Sequence, residues 1–268
     1  MSAALELRDV TVVRQNQLGL DGVSVHIDAG EFVGVIGPNG AGKTTLLTAI
    51  NGMCPLTRGS VCVAGQDPHG WRGHRVRANI GYVPQLRRPD PRLPITVRES
   101  VVTGRLGQLG WLKRPGREDW SKVDEALNQV GMNDLAERPL GQLSGGEYQR
   151  AAIARVLVQE PSVYLFDEPA SSIDPQAQHD VVALVHSLHR ETGATVLYVT
   201  HDLPALPLAA RRLLLLKNGR LWRDGPREAL LEPHEIRALY GFEAGVYPFG
   251  EGEDDRDEGA VLRSRAAR

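Results

Sequence analysis

Cysteine, long apolar runs, aromatic side chains and excess positive charge are all scarce in this 268-residue chain. Cys54 and Cys62 are the only cysteines and have no metal-ligand spacing, a usage that suits a reducing cytosol. Apolar runs such as Leu213 to Leu216 fall far short of the roughly 20 residues a membrane-spanning helix needs. Work at a membrane would therefore require another chain as anchor. The opening MSAALELRDV has neither a basic leader nor an apolar stretch of signal length, so it is expected to begin directly with structure. A net charge of −2 and a pI near 6.5 give no general attraction to nucleic acid; an anionic partner must be held by a local patch. Aromatics are few, at 5%, but 41% hydrophobic residues suffice for a buried core. The length allows one large α/β domain or two small ones.

What the chain does have is EFVGVIGPNGAGKTTLLTAI, Glu31 to Ile50: an apolar run, a glycine-rich turn and a helix-forming segment. Gly37, Gly40 and Gly42, with Pro38, Asn39 and Ala41 between them, let the backbone curl so that successive N–H groups point inward. The loop then discharges into a helix N-terminus, which favours negative charge. A polyphosphate fits there. Lys43 is expected to reach the β- and γ-phosphates, Thr44 to ligate Mg²⁺ beside them, and Thr45 to continue the helix start.

Leu5 to Val13 and Val23 to Ile27 read as two strands joined by a turn, QNQLGLDG. A short strand is expected at Ser60 to Ala64 and another at Ile80 to Val83, stopping at Pro84 and Gln85. From Leu86 to Pro94 the chain is rich in Pro and Arg, and helical periodicity follows. Val123, Ala126, Leu127 and Val130 share one face, and a second helix starts after Gly146. SVYLFDEP is a strand, followed by a helix with Val181, Leu184, Val185 and Leu188 on its core face, then ATVLYVTHD and RRLLLLKNGRLWRDG. The order of strand, helix, strand, helix, strand predicts a parallel sheet, whose ligands gather at the carboxyl ends of the strands. From Glu243 the charge-dense EGEDDRDEGAVLRSRAAR is expected to be a disordered tail.

Three strand ends carry chemistry: Gly37, the pair Asp167 and Glu168, and His201. Asp167 suits Mg²⁺ held through water, and Glu168 suits orienting or deprotonating a water. Taken alone, VYLFDEP could equally be a buried strand ending in solvated acids, and His201 a satisfied core side chain. Beside a phosphate loop, a donor at His201 would stabilise charge as a phosphoryl bond breaks. Gln85 is polar where water and Mg²⁺ would lie. In LSGGEYQR, Ser144, Gly145 and Gly146 precede a helix and offer a second anion-ready N-terminus; an ordinary capped helix is the plainer reading of that stretch by itself.

GPNGAGKTT, the Gln85 loop, LSGGE, Asp167 to Pro169, SSID and His201-Asp202 occur in the order of the ATP-binding cassette (ABC) ATPases, and the chain resembles that family from about Leu5 to Tyr240. The resemblance implies an α/β P-loop NTPase fold: a mainly parallel sheet core, an N-terminal antiparallel β portion and a helical insertion. It implies an ATPase domain over residues 1–242, with core 1–86 and 160–242 and helical subdomain 87–159, ahead of the tail at 243–268. It implies ATP and Mg²⁺ as cofactors and a head-to-tail dimer. Ser144, Gly145 and Gly146 of one subunit would close over ATP on the Lys43 loop of the other, with Asp174 in the loop that crosses the interface. The segment from Val83 to Met132, with PITVRESVVTGR and GWLKRP, is similar to ATPases of metal-ion (zinc or manganese) and metal-chelate importers. That implies integral-membrane permease subunits and a solute-binding protein as partners, no nucleic acid, and a cytoplasmic place on the inner face of the membrane.

Two departures from the family pattern stand out. Arg14 occupies the place of an aromatic that stacks on adenine; its planar guanidinium can also stack on a base, or serve as a plain exposed charge. Glu147 stands where Gln is commoner and can only accept hydrogen bonds. His179, His186 and His189 are expected on a solvated helix surface, and the Arg-rich stretch from Arg72 to Arg117 on a surface facing a membrane partner. Two other kinds of cassette ATPase compete: a soluble scaffold of the iron–sulphur assembly type, and a nucleic-acid-associated one. The importer-like segment from Pro94 to Val130 speaks against the first. The single cassette, without zinc-ligand cysteines or basic excess, speaks against the second.

Overall fold

The computed structural model describes residues 3–241 except 86–89, 91, 93 and 110–112. β1 (Ala3–Arg14) and β2 (Gln17–Asp28) run antiparallel, joined by Gln15 and Asn16 alone. Both turn residues have positive φ, 46° and 62°, the twist a two-residue hairpin demands. This corrects the expected turn QNQLGLDG, because from Gln17 onward that stretch is strand. Leu20, fully buried opposite Val12, pulls it into the sheet despite its polar neighbours.

β3 (Phe32–Ile36) is buried throughout and leads through the glycine loop into α1 (Lys43–Ile50). β4 (Arg58–Val63) starts two residues earlier than its sequence suggests and pairs with the free edge of β1, giving a small sheet in the order β2-β1-β4. α2 (Gly73–Arg77) and β5 (Ile80–Val83) follow, then four helices: α3 (Val97–Val102), α4 (Leu106–Leu109), α5 (Arg117–Gln129) and α6 (Gly145–Leu157). The chain returns through β6 (Val163–Asp167), α7 (Pro175–Thr192), β7 (Thr195–Thr200), β8 (Arg212–Lys217) and β9 (Arg220–Pro226). It closes with α8 (Arg227–Leu230) and α9 (Pro233–Tyr240). No helix joins β7 to β8. Pro204 and Pro207 keep that connection in turns, which corrects a strictly alternating strand-helix order.

The large sheet has the order β5-β6-β7-β3-β8-β9, parallel except for the β8–β9 hairpin. Its central strands are apolar without a break because both faces are covered. Alternate residues serve two cores. Tyr164, Phe166 and Tyr198 pack toward α5, α6 and α7, while Leu165, Leu197 and Val199 pack toward α1 and the small sheet. On α5, Val123, Ala126, Leu127 and the following Val130 are buried, as their spacing predicts. On α7 the buried positions are Ala177, Val181, Val185 and Leu188, with Leu184 half-buried.

The C-terminal end of α6 is tied to the sheet by side chains. Gln159 Nε2 donates to the carbonyls of Arg77, Ala78 and Ile80 at 3.3, 2.9 and 3.0 Å. Arg105, itself buried, donates to Val158 O at 3.1 Å and to Asp119 Oδ1 at 3.0 Å. The acidic stretch from Glu243, most of 86–94 and the first half of GWLKRP lie outside the described residues.

Candidate active site

Four neighbouring parallel strands end at one edge of the sheet, and each delivers a group there. β5 leads to Gln85, β6 ends in Asp167 and Glu168, β7 precedes His201, and β3 opens into the glycine loop. In that loop a Cβ on Gly37 would lie 2.3 Å from Leu216 O. Gly42, with φ 101°, would place one 2.4 Å from Gly19 O. Only glycine fits either place.

Lys43 is 6% exposed. Its Nζ donates to Gly37 O at 2.8 Å and Pro38 O at 3.1 Å, and stands 3.6 Å from Glu168 Oε1. Burial lowers the pKa of this ammonium, and the Glu168 carboxylate opposes that effect. Thr44 Oγ1 donates to Asp167 Oδ1 at 3.1 Å, and the Tyr82 hydroxyl donates to Asp167 Oδ2 at 3.2 Å. Even so, burial lifts the Asp167 carboxyl above its ordinary range. Glu168 sits in left-handed backbone, φ 51°, which is costly for a non-glycine residue. Its Oε2 receives the Gln85 amide at 3.1 Å and lies 2.9 Å from His201 Nδ1.

Thr44 and Asp167 are thus in direct contact, whereas the amide nitrogen of Gln85 engages Glu168. Thr44, Gln85 and Asp167 border one crevice of about 360 Å³, and Glu168 does not. A hydroxyl, a carboxylate and an amide carbonyl are hard oxygen donors of the kind Mg²⁺ takes, so the residues present fit that ion. Next to it lies a cleft of about 540 Å³ bordered by Arg14, Leu18, Asn39, Lys43, Thr45 and Glu168. Arg14 Nη2 reaches the Thr48 hydroxyl at 3.4 Å. Gln17 and Leu18 also border this cleft and were hidden in the supposed turn; an aliphatic side chain left 52% exposed beside the glycine loop is their signal. A larger cavity of about 610 Å³ lies at the opposite, amino ends of β6 and β7 and contains none of these groups.

Ser144 caps α6: its Oγ accepts from Glu147 N at 3.3 Å while its own N–H donates to Glu147 Oε2 at 2.7 Å. That N–H, and then Arg138, hold the Glu147 carboxyl below its usual range. Ser144, Gly145 and Gly146 do not border the Lys43 cleft of their own chain. Gly146 packs on the start of α7, where Asp174 accepts from Ala177 N at 2.9 Å. His179 is exposed and His186 half-buried, while His189 bonds Ala194 O at 3.0 Å and meets the Phe32 ring edge-on. Among the described residues no group of three or more His, Cys, Asp or Glu side chains is placed to hold a metal ion.

The family model described as "ABC transporter" matches residues 20–171. The zinc transport system ATP-binding protein TroB of Treponema pallidum is 36% identical over 256 residues, covering 95% of this chain and 94% of TroB. The manganese transport system ATP-binding protein MntB of Bacillus subtilis is 37% identical, covering 88% and 92%. Among solved structures, an inward-facing putative metal-chelate type ABC transporter superposes with a TM-score of 0.77 at 27% identity, covering 89% of each chain. The dimeric, post-hydrolysis cassette MJ0796 bound to ADP and Pi gives 0.71 at 29% identity, covering 83% of this chain and 98% of that one.

Proposed function

This chain belongs to the ABC transporter family, and from that premise we propose that it is the ATP-hydrolysing subunit of an importer of a metal ion or metal chelate. The observation that carries the reading is the convergence of Lys43, Gln85 and His201 on the Glu168 carboxylate at the strand edge. Glu168 takes a proton from the attacking water as its oxygen bonds to the γ-phosphorus. The bond to the bridging oxygen breaks, and ADP and phosphate leave. Lys43 holds the β- and γ-phosphates, His201 steadies the γ-phosphate, and the backbone from Gly37 to Thr45 cradles the chain of phosphates. Thr44, Gln85 and Asp167 would hold Mg²⁺, which when bound neutralises charge on the phosphate oxygens.

Ser144, Gly145 and Gly146 stand away from the cleft of their own chain, which supports their acting on a second copy in a head-to-tail pair. In this reading residues 87–159 form a helical subdomain on a core of residues 1–86 and 160–242, and two copies close and reopen as nucleotide comes and goes. Among the described residues no helix is long and apolar enough to cross a membrane. In this reading permease subunits supply the path and a solute-binding protein the cargo. The chain then works at the inner face of the membrane. Trp71, 93% exposed beside Arg72 and Arg75, belongs to the surface that would face that partner.

The test is a pull-down of tagged Glu168→Gln protein with ATP from gently solubilised native membranes, read by mass spectrometry. A polytopic permease is the expected companion. Soluble assembly proteins with no permease would overturn transport and leave the ATPase chemistry standing.

A further inference from the structure

Gln149 sits on α6, one turn in from the Ser144 cap, and only 1% of it is exposed. Its Nε2 finds no acceptor among the described residues. An amide nitrogen buried without a protein acceptor is costly unless water, an ion or a ligand satisfies it. Its surroundings identify that state. Gln149 borders the crevice of about 360 Å³ that Thr44, Tyr82, Gln85 and Asp167 line from the core and Arg155 from its own helix. Three of those core groups are the oxygen donors assigned to the divalent cation. The crevice has room for several waters.

We infer that Gln149 is a positioning residue of the cation site: its amide donates to the water shell of the divalent ion and ties α6 to the occupied site within the same chain. The inference rests on the ATPase reading of Thr44, Gln85 and Asp167. It gives the core a direct line to the helix that carries Ser144, separate from the contact a second copy makes. Thr44 and Tyr82 already donate to the two Asp167 oxygens, so the carboxylate has no need of Gln149 in the ion-free chain.

The test uses Gln149→Met and Gln149→Leu, which keep the volume and remove the donor. Melting temperature is measured without nucleotide or divalent ion, and the Mg²⁺ dependence of ATP turnover in the full chain. Because the amide has no acceptor among the described residues, both variants are expected to melt at or above the parent's temperature. The Mg²⁺ concentration for half-maximal turnover is expected to rise about fivefold, the worth of one ordinary hydrogen bond. Failure to fold, or a lower melting temperature in both variants, would make Gln149 a packing residue and overturn the inference. An unchanged Mg²⁺ requirement would do the same while leaving the ATPase reading intact. If the parent itself shows no Mg²⁺-dependent turnover, the broader reading falls and this one with it.

Discussion

His201 Nδ1 and Glu168 Oε2 lie 2.9 Å apart, and that same oxygen receives the Gln85 amide at 3.1 Å. One carboxylate oxygen thus joins the ends of β5, β6 and β7, while its partner oxygen faces Lys43 on the loop after β3. Any change in the charge of Glu168 is therefore felt at four strand ends.

Glu168→Gln removes the proton acceptor but keeps the size of the side chain. ATP binding is expected to persist, turnover to fall by about 10²–10⁴-fold, and an ATP-bound dimer to accumulate. Phosphate release and size-exclusion chromatography with ATP measure both. A monomeric, fully active variant would rule the mechanism out.

Replacing His201 with Ala takes away a donor to the developing phosphate charge, a loss worth about 10²–10³-fold in turnover. Affinity for ATP, held by the glycine loop and Lys43, is expected to stay close to the parent's. A change confined to KM would place His201 in binding instead.

The pH response follows from Asp167, whose burial raises its carboxyl above the ordinary range. The folded chain then holds this proton more readily than the unfolded one, so the contribution of Asp167 to stability falls as pH rises through the raised value. A protonated carboxyl is a poor cation ligand, so the Mg²⁺ needed for half-maximal turnover should climb as pH falls toward that value. Asp167→Asn, which cannot titrate, should lose this pH dependence. Identical slopes in the two proteins would show that another group is responsible.

Arg14→Ala should weaken ATP binding about two- to fivefold if its guanidinium stacks on the base, from the roughly 0.5–1 kcal/mol of an exposed cation–π contact. Binding of inorganic tripolyphosphate, which has no base, should not change. An equal loss for both ligands would make Arg14 a phosphate contact, and no loss would make it a surface charge.

The glycine loop, the strand ends and the α6 cap are legible in sequence because each is local: spacing along the chain fixes which backbone and side-chain groups can meet. The N-terminal hairpin was less legible. Its turn is two residues with positive φ, and the polar residues after it are drawn into strand by pairing with β1. Gln149 was not singled out for a different reason. A glutamine in a helix reads as a surface residue, and only the packing of α6 on the sheet edge buries it. Glu168 was named as a base, but its meeting with Gln85 and His201 depends on strand order, which no single segment encodes.

The Gln159 side chain, with carbonyl partners just before β5 and at its first residue, has a mechanical consequence. It pins the end of α6 to the start of the strand that leads to Gln85. α6 is 13 residues long, so Ser144 stands about 20 Å from this anchor, which Arg105 shares through Val158 O. A tilt of a few degrees about that end would shift the serine by an ångström or more, so the rigidity of one helix end bears on how exactly Ser144 is placed.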